Sequence, residues 1–291
     1  MNAENIPQRF EVEIGGGTLA GLRWPSPGKP PLLFCHATGF CASAYKSMLS
    51  ILSADFDVTA LDLRGHGRTR LPADPAALKS WRIHRDDVGA FLDRQAREGW
   101  TLAGHSMGAI VSLLTAQGRT DVAALRLIEP VLPPLWMTVM AGTPLWPLLT
   151  HRIPLVEQAR RRRAEWPDRE SAAASYGRKA LFAGWAEGVL GDYLEDGLRE
   201  TADGFALSCS PAWEAATFAA QANPSWQALA SLPAPAAVFA ADHPSSTVSA
   251  RGRRRINALK IPLITGAGVS HLAPMEQPAL AAGFIAGALK P

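Results

Sequence analysis

A serine lies between two glycines in the pentapeptide Gly104-His105-Ser106-Met107-Gly108. The apolar run before it, residues 100–103, predicts a short buried strand, and residues 107–116 predict a helix. A turn of about one residue between a strand and a helix strains the backbone of the serine, and glycines on both sides leave room for the turn. This pattern is typical of a nucleophile elbow, in which an exposed serine hydroxyl attacks a carbonyl group.

Apolar runs alternate with helix-like segments before and after this serine, which predicts a parallel sheet covered by helices on both faces. Three glycines, Gly15 to Gly17, predict a hairpin between the first two runs. The alternation stops at Leu132, where prolines and tryptophans become frequent, and resumes at Pro235. Besides the run before the serine, the predicted strands span residues 11–14, 19–24, 32–35, 58–61, 125–128, 236–240 and 261–265.

The interruption of this alternation predicts an inserted segment. We expect an α/β core formed by residues 1–132 and 232–291, with a helical cap formed by residues 133–231. A chain of 291 residues that is 47% hydrophobic and 19% charged can bury a core of this size.

The composition argues against several other classes of protein. The first ten residues are polar and no apolar run is long enough to cross a bilayer, so we expect a soluble, cytoplasmic protein without a secretory signal. Three cysteines without metal-ligand spacing predict free thiols. The net charge of +3 is small, and we interpret the arginine clusters at 160–163 and 251–255 as solvated helix faces rather than a nucleic-acid site.

Four motifs follow the predicted strands in an order that is typical of one known family. They are His36-Ala37-Thr38-Gly39-Phe40, Asp62-Leu63-Arg64-Gly65-His66-Gly67, the serine pentapeptide, and Gly268-Val269-Ser270-His271. With these motifs the sequence resembles the α/β-hydrolase fold family over nearly the whole chain. The resemblance implies a mostly parallel central sheet flanked by helices, an inserted cap, and chemistry that needs no cofactor or metal. One position differs, since the family usually has glycine where this chain has Ala37.

The resemblance also implies a triad of serine, base and acid. Ser106 needs a base within hydrogen-bonding reach, and we expect His271 in the loop after the last predicted strand to be that base. Glu129 ends a buried strand at the edge where active-site groups of open α/β sheets gather, and some haloalkane dehalogenases have a glutamate there. Asp242 is the alternative acid, although Pro244 occupies the position where the family usually has its aspartate.

Two backbone N–H groups are implied as donors to a tetrahedral oxyanion. The first belongs to Met107, directly after the nucleophile, and the second to Thr38 in the loop after the third predicted strand. The register of the second donor stays open, with Ala37 and Gly39 as alternatives.

Aromatic residues are frequent in the expected cap, which lies over the nucleophile in this family. We expect Phe40, Trp136, Trp146 and Trp185 to bind substrate, because binding clefts are lined by apolar and aromatic side chains. The alternative for each tryptophan is that it pins the cap to the core. Since no charged residue stands out as a pocket candidate, the sequence favours an apolar or aromatic substrate.

These features together predict a serine hydrolase of the carboxylesterase type, acting on an ester or lactone-like bond of a small molecule through an acyl-enzyme on Ser106. A carbon–carbon bond hydrolase or lyase with the same triad is an alternative. A small-molecule sensor without catalysis is another, since this fold also serves receptors. Epoxide hydrolysis and dehalogenation are not expected, because those relatives use an aspartate nucleophile.

Overall fold

The structure, a computed structural model, describes residues 6–289. Its strands are β1 (Gln8–Ile14), β2 (Gly17–Trp24), β3 (Pro31–Cys35), β4 (Asp57–Asp62), β5 (Trp100–His105), β6 (Val122–Ile128), β7 (Glu165–Trp166), β8 (Leu198–Thr201), β9 (Gly204–Leu207), β10 (Ala236–Ala241) and β11 (Leu263–Gly266). Its helices are α1 (Lys46–Leu52), α2 (Arg82–Gln95), α3 (Met107–Ala116), α4 (Leu135–Ala141), α5 (Pro154–Arg160), α6 (Arg169–Gly177), α7 (Val189–Gly197), α8 (Pro211–Ala219), α9 (Ser225–Ala230), α10 (Ala250–Ala258), α11 (Ala273–Glu276) and α12 (Pro278–Ile285).

Eight strands form the central sheet, in the order β1-β2-β4-β3-β5-β6-β10-β11. The strand β2 pairs antiparallel with both of its neighbours, and the pairs from β4 to β11 are parallel. The predicted hairpin joins β1 to β2, and its turn residues Gly15 and Gly16 have φ values of 52° and 85°, which glycine adopts without strain. The predicted α/β fold with a mostly parallel sheet is therefore confirmed.

The sheet is buried on both faces, as the uninterrupted apolar strands predict. Alternate residues of β3 show this, because Leu33 and Cys35 belong to one hydrophobic cluster whereas Leu32 and Phe34 belong to the other. The helix α3 packs against β5, β6 and β3. Two packed layers of helices thus hold the central strands rigidly, and with them the loops at their carboxyl ends.

The segment between β6 and β10 contains more than the helices that the sequence predicts. It has a three-stranded antiparallel sheet in the order β7-β9-β8, together with α4 to α9. Strands of two to four residues leave no apolar alternation in the sequence, so the expectation of a purely helical cap was incomplete. Within residues 6–289, none of the helices is both long enough and apolar enough to cross a membrane.

Candidate active site

Ser106 lies between the end of β5 and the start of α3, with φ 57° and ψ −115°. A Cβ atom on Gly104 would come within 2.3 Å of the Gly108 carbonyl oxygen, and one on Gly108 within 2.1 Å of the Cys35 carbonyl oxygen. Neither position can therefore carry a side chain without moving the backbone. The predicted strand, strained serine and helix are all present, and the glycines have the role that the pattern indicates.

Ser106, His271 and Glu129 are joined by two hydrogen bonds. Nε2 of His271 is 3.1 Å from Oγ of Ser106, and Nδ1 is 2.9 Å from Oε2 of Glu129. Because a carboxylate can only accept, Nδ1 carries the proton and donates it, which leaves the Nε2 lone pair to accept from the serine hydroxyl. The imidazole is thus held in the tautomer that a general base requires.

The Glu129 carboxylate is fully buried and is ionised by its neighbours. Its Oε1 accepts from the Ala241 N–H and the Ser246 hydroxyl, and its Oε2 accepts from the Thr247 N–H as well as from His271. Burial alone would raise the pKa of Glu129, but the hydrogen bonds and the nearby imidazole hold it at about 2. A permanent negative charge therefore faces Nδ1.

Asp242, the alternative acid, lies on the exposed surface. Its backbone N–H donates to the Gly266 carbonyl, and its carboxylate makes no hydrogen bond or ion pair within residues 6–289. The structure thus brings Glu129 to the histidine and leaves Asp242 outside the site. The physical reason is that β10 ends one residue before Asp242, where the chain turns away toward solvent.

Of the candidate amides in the loop after β3, only that of Thr38 is left for a ligand. The Ala37 N–H donates to the Tyr45 hydroxyl, and the Gly39 N–H donates to Nε2 of His66. Within the described part of the chain, the Thr38 N–H has no acceptor, and Thr38 lines the cavity beside Ser106. The positive φ of this loop lies at Gly39, 78°, so alanine at position 37 is not strained.

His105 and Tyr45, which the sequence did not single out, connect the loops of the site. His105 is buried and donates from Nε2 to the His271 carbonyl, 2.8 Å away, while its Nδ1 accepts from the Tyr45 hydroxyl at 2.8 Å. Burial, with a contribution from nearby His271, lowers the pKa of His105 to about 3, so the ring stays neutral. The only signal in the sequence is that His105 precedes the serine, which does not distinguish this role from simple packing.

A cavity of about 780 Å³ opens above Ser106 and His271. Phe40 lines it, together with apolar residues from the segment between β6 and β10. The other three predicted aromatic residues are not among its lining residues within the described range. Trp136 is 61% exposed, Trp146 is buried and donates to the Ala219 carbonyl, and Trp185 packs behind Phe40 with ring centroids 5.9 Å apart.

The cavity wall also contains charged side chains, contrary to the sequence interpretation. Arg162, which we expected on a solvated helix face, lines the cavity beside Glu214 and Lys179. It lies beyond the end of α5, its side chain is only 17% exposed, and its guanidinium is paired with Glu214. Within residues 6–289, no group of three histidine, cysteine or carboxylate side chains is arranged to hold a metal ion.

A family model described as "Alpha/beta hydrolase family" matches residues 32–283. An epoxide hydrolase of Caballeronia sordidicola is 35% identical over 95 residues, which are 32% of this chain and 28% of that protein. The chain spans 28%, 29% and 34% of the lengths of three curated relatives.

Two solved structures share the fold across nearly their whole length. E-2-(acetamidomethylene)succinate hydrolase has a TM-score of 0.79 at 20% identity, covering 97% of this chain and 98% of that one. The thioesterase domain from the curacin biosynthetic pathway has a TM-score of 0.77 at 19% identity, covering 97% and 100%. At these identities the likeness establishes the fold alone. Since the family model extends over most of the residues that build the sheet and the site, the chain belongs to the alpha/beta hydrolase family.

Proposed function

We propose that this protein is a serine hydrolase that cleaves a carboxylic-ester or lactone-like bond through an acyl-enzyme on Ser106. The observation that carries the proposal is the hydrogen-bonded series from Ser106 Oγ through His271 to the buried carboxylate of Glu129. A serine with such a base is activated for attack on a carbonyl carbon. A serine nucleophile does not suit epoxide opening, for which a carboxylate nucleophile would be needed.

Each residue of the site has a defined part in the proposed reaction. Ser106 Oγ attacks the carbonyl carbon while His271 Nε2 takes its proton, and the Glu129 carboxylate stabilises the resulting imidazolium. The N–H groups of Met107 and Thr38 bind the oxyanion of the tetrahedral intermediate. When the carbon–oxygen bond to the leaving group breaks, His271 gives its proton to the departing alcohol.

The second half of the reaction releases the acid. A water molecule attacks the acyl carbon and passes a proton to His271, and the bond from the carbon to Ser106 Oγ then breaks as that proton returns to the serine. The cavity supports this proposal, because it places Ser106, Thr38 and His271 on one accessible surface. The largely apolar walls strengthen the electrostatic interactions that stabilise the intermediate.

The first test of this proposal is labelling with a fluorophosphonate, followed by intact mass spectrometry. We expect one adduct on the wild-type protein, none on Ser106→Ala, and loss of aryl-ester hydrolysis by at least about 10³-fold in that variant. Ser231→Ala is a matched control, because Ser231 is exposed and does not line the cavity. It should label and hydrolyse like the wild-type protein.

Two outcomes would contradict the proposal. Retained labelling of Ser106→Ala would place the reactive group elsewhere, and an unlabelled wild-type protein that binds esters without turnover would favour a sensor. A carbon–carbon hydrolase would label in the same way, but it would strongly prefer vinylogous diketone acids to simple aryl esters. Far-ultraviolet circular dichroism of each variant separates loss of chemistry from loss of fold.

A further inference from the structure

Four side chains form a polar cluster in the wall of the cavity: the half-buried Arg162 and the buried Tyr176, Tyr193 and Glu214. Arg162 donates from Nη1 to both carboxylate oxygens of Glu214, at 2.7 and 2.8 Å. Its Nη2 donates to the hydroxyls of Tyr176 and Tyr193, at 2.6 and 2.7 Å, and its Nε donates to Tyr176 at 3.2 Å. Every nitrogen of the guanidinium thus has an acceptor, so Arg162 is a fixed part of the wall.

This cluster begins directly beside the proposed oxyanion site. The Tyr193 hydroxyl donates to the Gly39 carbonyl, 3.3 Å away, and a Cβ atom on Gly39 would lie 2.3 Å from Oε1 of Glu214. Gly39 follows Thr38 in the chain, and the cluster lines the same cavity as Ser106, so a substrate whose carbonyl lies at Ser106 can reach these groups. The cluster therefore faces the part of the cavity that holds the remainder of a substrate.

One hydrogen-bond donor of the cluster is left over. The Tyr176 hydroxyl oxygen accepts from Arg162, but within residues 6–289 its hydrogen has no acceptor. Tyr176 is buried and lines the cavity. A buried hydroxyl without an acceptor costs free energy, which an acceptor on a bound molecule would recover.

Lys179 adds a second positive charge at the same place. Its Nζ lies 4.6 Å from the centre of the Tyr176 ring, and it lines the cavity without an ion pair in the described part of the chain. Partial burial and the charge of Arg162 lower the pKa of Lys179. Two cations thus face one carboxylate, Glu214, and the wall has an excess of one positive charge. A monoanion balances this excess, whereas a dianionic phosphate ester does not.

We propose that the substrate carries a carboxylate on the part remote from the scissile bond, and that Lys179 Nζ and the Tyr176 hydroxyl bind it. This inference rests on the proposed hydrolase function and names its class of substrate. The sequence favours a wholly apolar substrate. Under this inference the apolar walls bind only the hydrocarbon part of the substrate, between the scissile bond and the carboxylate. Arg162 acts here as a positioning residue, since its own donors are already occupied.

The test uses two esters with acyl chains of equal length, 4-nitrophenyl hydrogen glutarate and 4-nitrophenyl valerate. We expect the wild-type protein to prefer the glutarate, and Lys179→Met to lower the ratio of kcat/KM values for glutarate over valerate by about 10- to 100-fold, through KM. Tyr176→Phe should lower the same ratio by a smaller factor. Arg178→Met is the matched control, because Arg178 is exposed and does not line the cavity, and it should leave the ratio unchanged.

An equal loss on both esters in Lys179→Met, or an unchanged ratio, would overturn the inference. A binding measurement separates it from the hydrolase proposal. In Ser106→Ala, which lacks the nucleophile, calorimetry should show at least tenfold tighter binding of the glutarate ester, and this difference should disappear on adding Lys179→Met. If neither ester is turned over by the wild-type protein but this difference is present, the hydrolase proposal fails and the carboxylate site stands. Equal affinities for the two esters would dismiss the carboxylate site whatever the rates.

Discussion

At the scale of single residues, Glu129 combines an unusual backbone conformation with a charged side chain that is fully buried. It has φ 49°, in the left-handed region that non-glycine residues seldom adopt. Its carboxylate is held by donors from β10, from the following loop and from His271. Its pKa of about 2 lies below the ordinary 4.5, so the ionised form stabilises the folded state fully above pH 4.5 and this contribution is lost as the pH falls through about 2.

Replacing the two candidate acids tests this assignment directly. Glu129→Gln keeps the size of the side chain but turns an acceptor for Nδ1 into a group that can donate, so we expect kcat on an aryl ester to fall by about 10³- to 10⁴-fold. Asp242→Asn, at the exposed alternative position, should change kcat less than about twofold. A severe loss in Asp242→Asn, or full activity in Glu129→Gln, would show that the carboxylate on His271 is not the working acid. Melting temperatures of both variants show whether the fold is kept.

At the scale of secondary structure elements, the close approach of α3 to β3 sets the position of Ser106. Gly108 is the second residue of α3, and a Cβ there would lie 2.1 Å from the Cys35 carbonyl oxygen and 2.5 Å from that of His36. Both atoms are backbone, which cannot rotate away. The helix can therefore approach the strand closely enough to aim Ser106 only because this position has no side chain.

Two glycine-to-alanine variants in neighbouring helices separate this effect from helix propensity. Gly108→Ala should destabilise the protein by at least about 1–3 kcal/mol through overpacking, and should misplace Ser106. Gly89→Ala, in α2 with no atom within 4 Å of the new Cβ, should stabilise it by about 0.5–1 kcal/mol. Urea unfolding measures both free energies. Equal effects in the two variants would mean that the close approach of α3 to β3 does not require glycine at position 108.

At the scale of the whole molecule, a set of buried neutral histidines makes the fold sensitive to acid. Burial lowers the pKa of His66 to about 4 and those of His84 and His105 to about 3, and it lowers the pKa of His36 well below its ordinary value. The unfolded chain therefore binds protons near pH 6.5 that the folded protein does not. The contribution of these histidines to the free energy of unfolding falls as the pH decreases below about 6.5, and it keeps falling until the folded state also binds protons.

His84 offers the cleanest test of this effect. Neither ring nitrogen has a hydrogen-bond partner within residues 6–289. The side chain therefore stabilises the fold by packing, but burying two unpaired nitrogens costs free energy. We expect His84→Leu to be at least as stable as the wild-type protein at pH 7.5, and to reduce the loss of stability between pH 7.5 and 5 by about 2 kcal/mol. Exposed His151→Leu should leave this loss unchanged. An unaltered pH dependence in His84→Leu would contradict a neutral buried ring.

Much of the core could be predicted because its signals are local in the chain. The elbow depends on five consecutive residues, the hairpin on three glycines, and the strands on short apolar runs. The charged wall could not be predicted, since Arg162, Tyr176, Tyr193 and Glu214 meet only after several helices and a small sheet have folded. In sequence, Arg162 is one of four consecutive arginines, and only the structure distinguishes the one that lines the cavity.

The distribution of residues along the chain has a consequence for how such enzymes diversify. Ser106, Glu129 and His271 all lie outside the segment between β6 and β10, whereas Lys179 and its neighbours lie inside it. Recombination at the two ends of that segment would exchange the proposed carboxylate site as one unit and leave the proposed triad intact. The contact that an exchanged segment must reproduce is at Gly39, in the loop that contains Thr38, where the Gly39 carbonyl accepts from the Tyr193 hydroxyl.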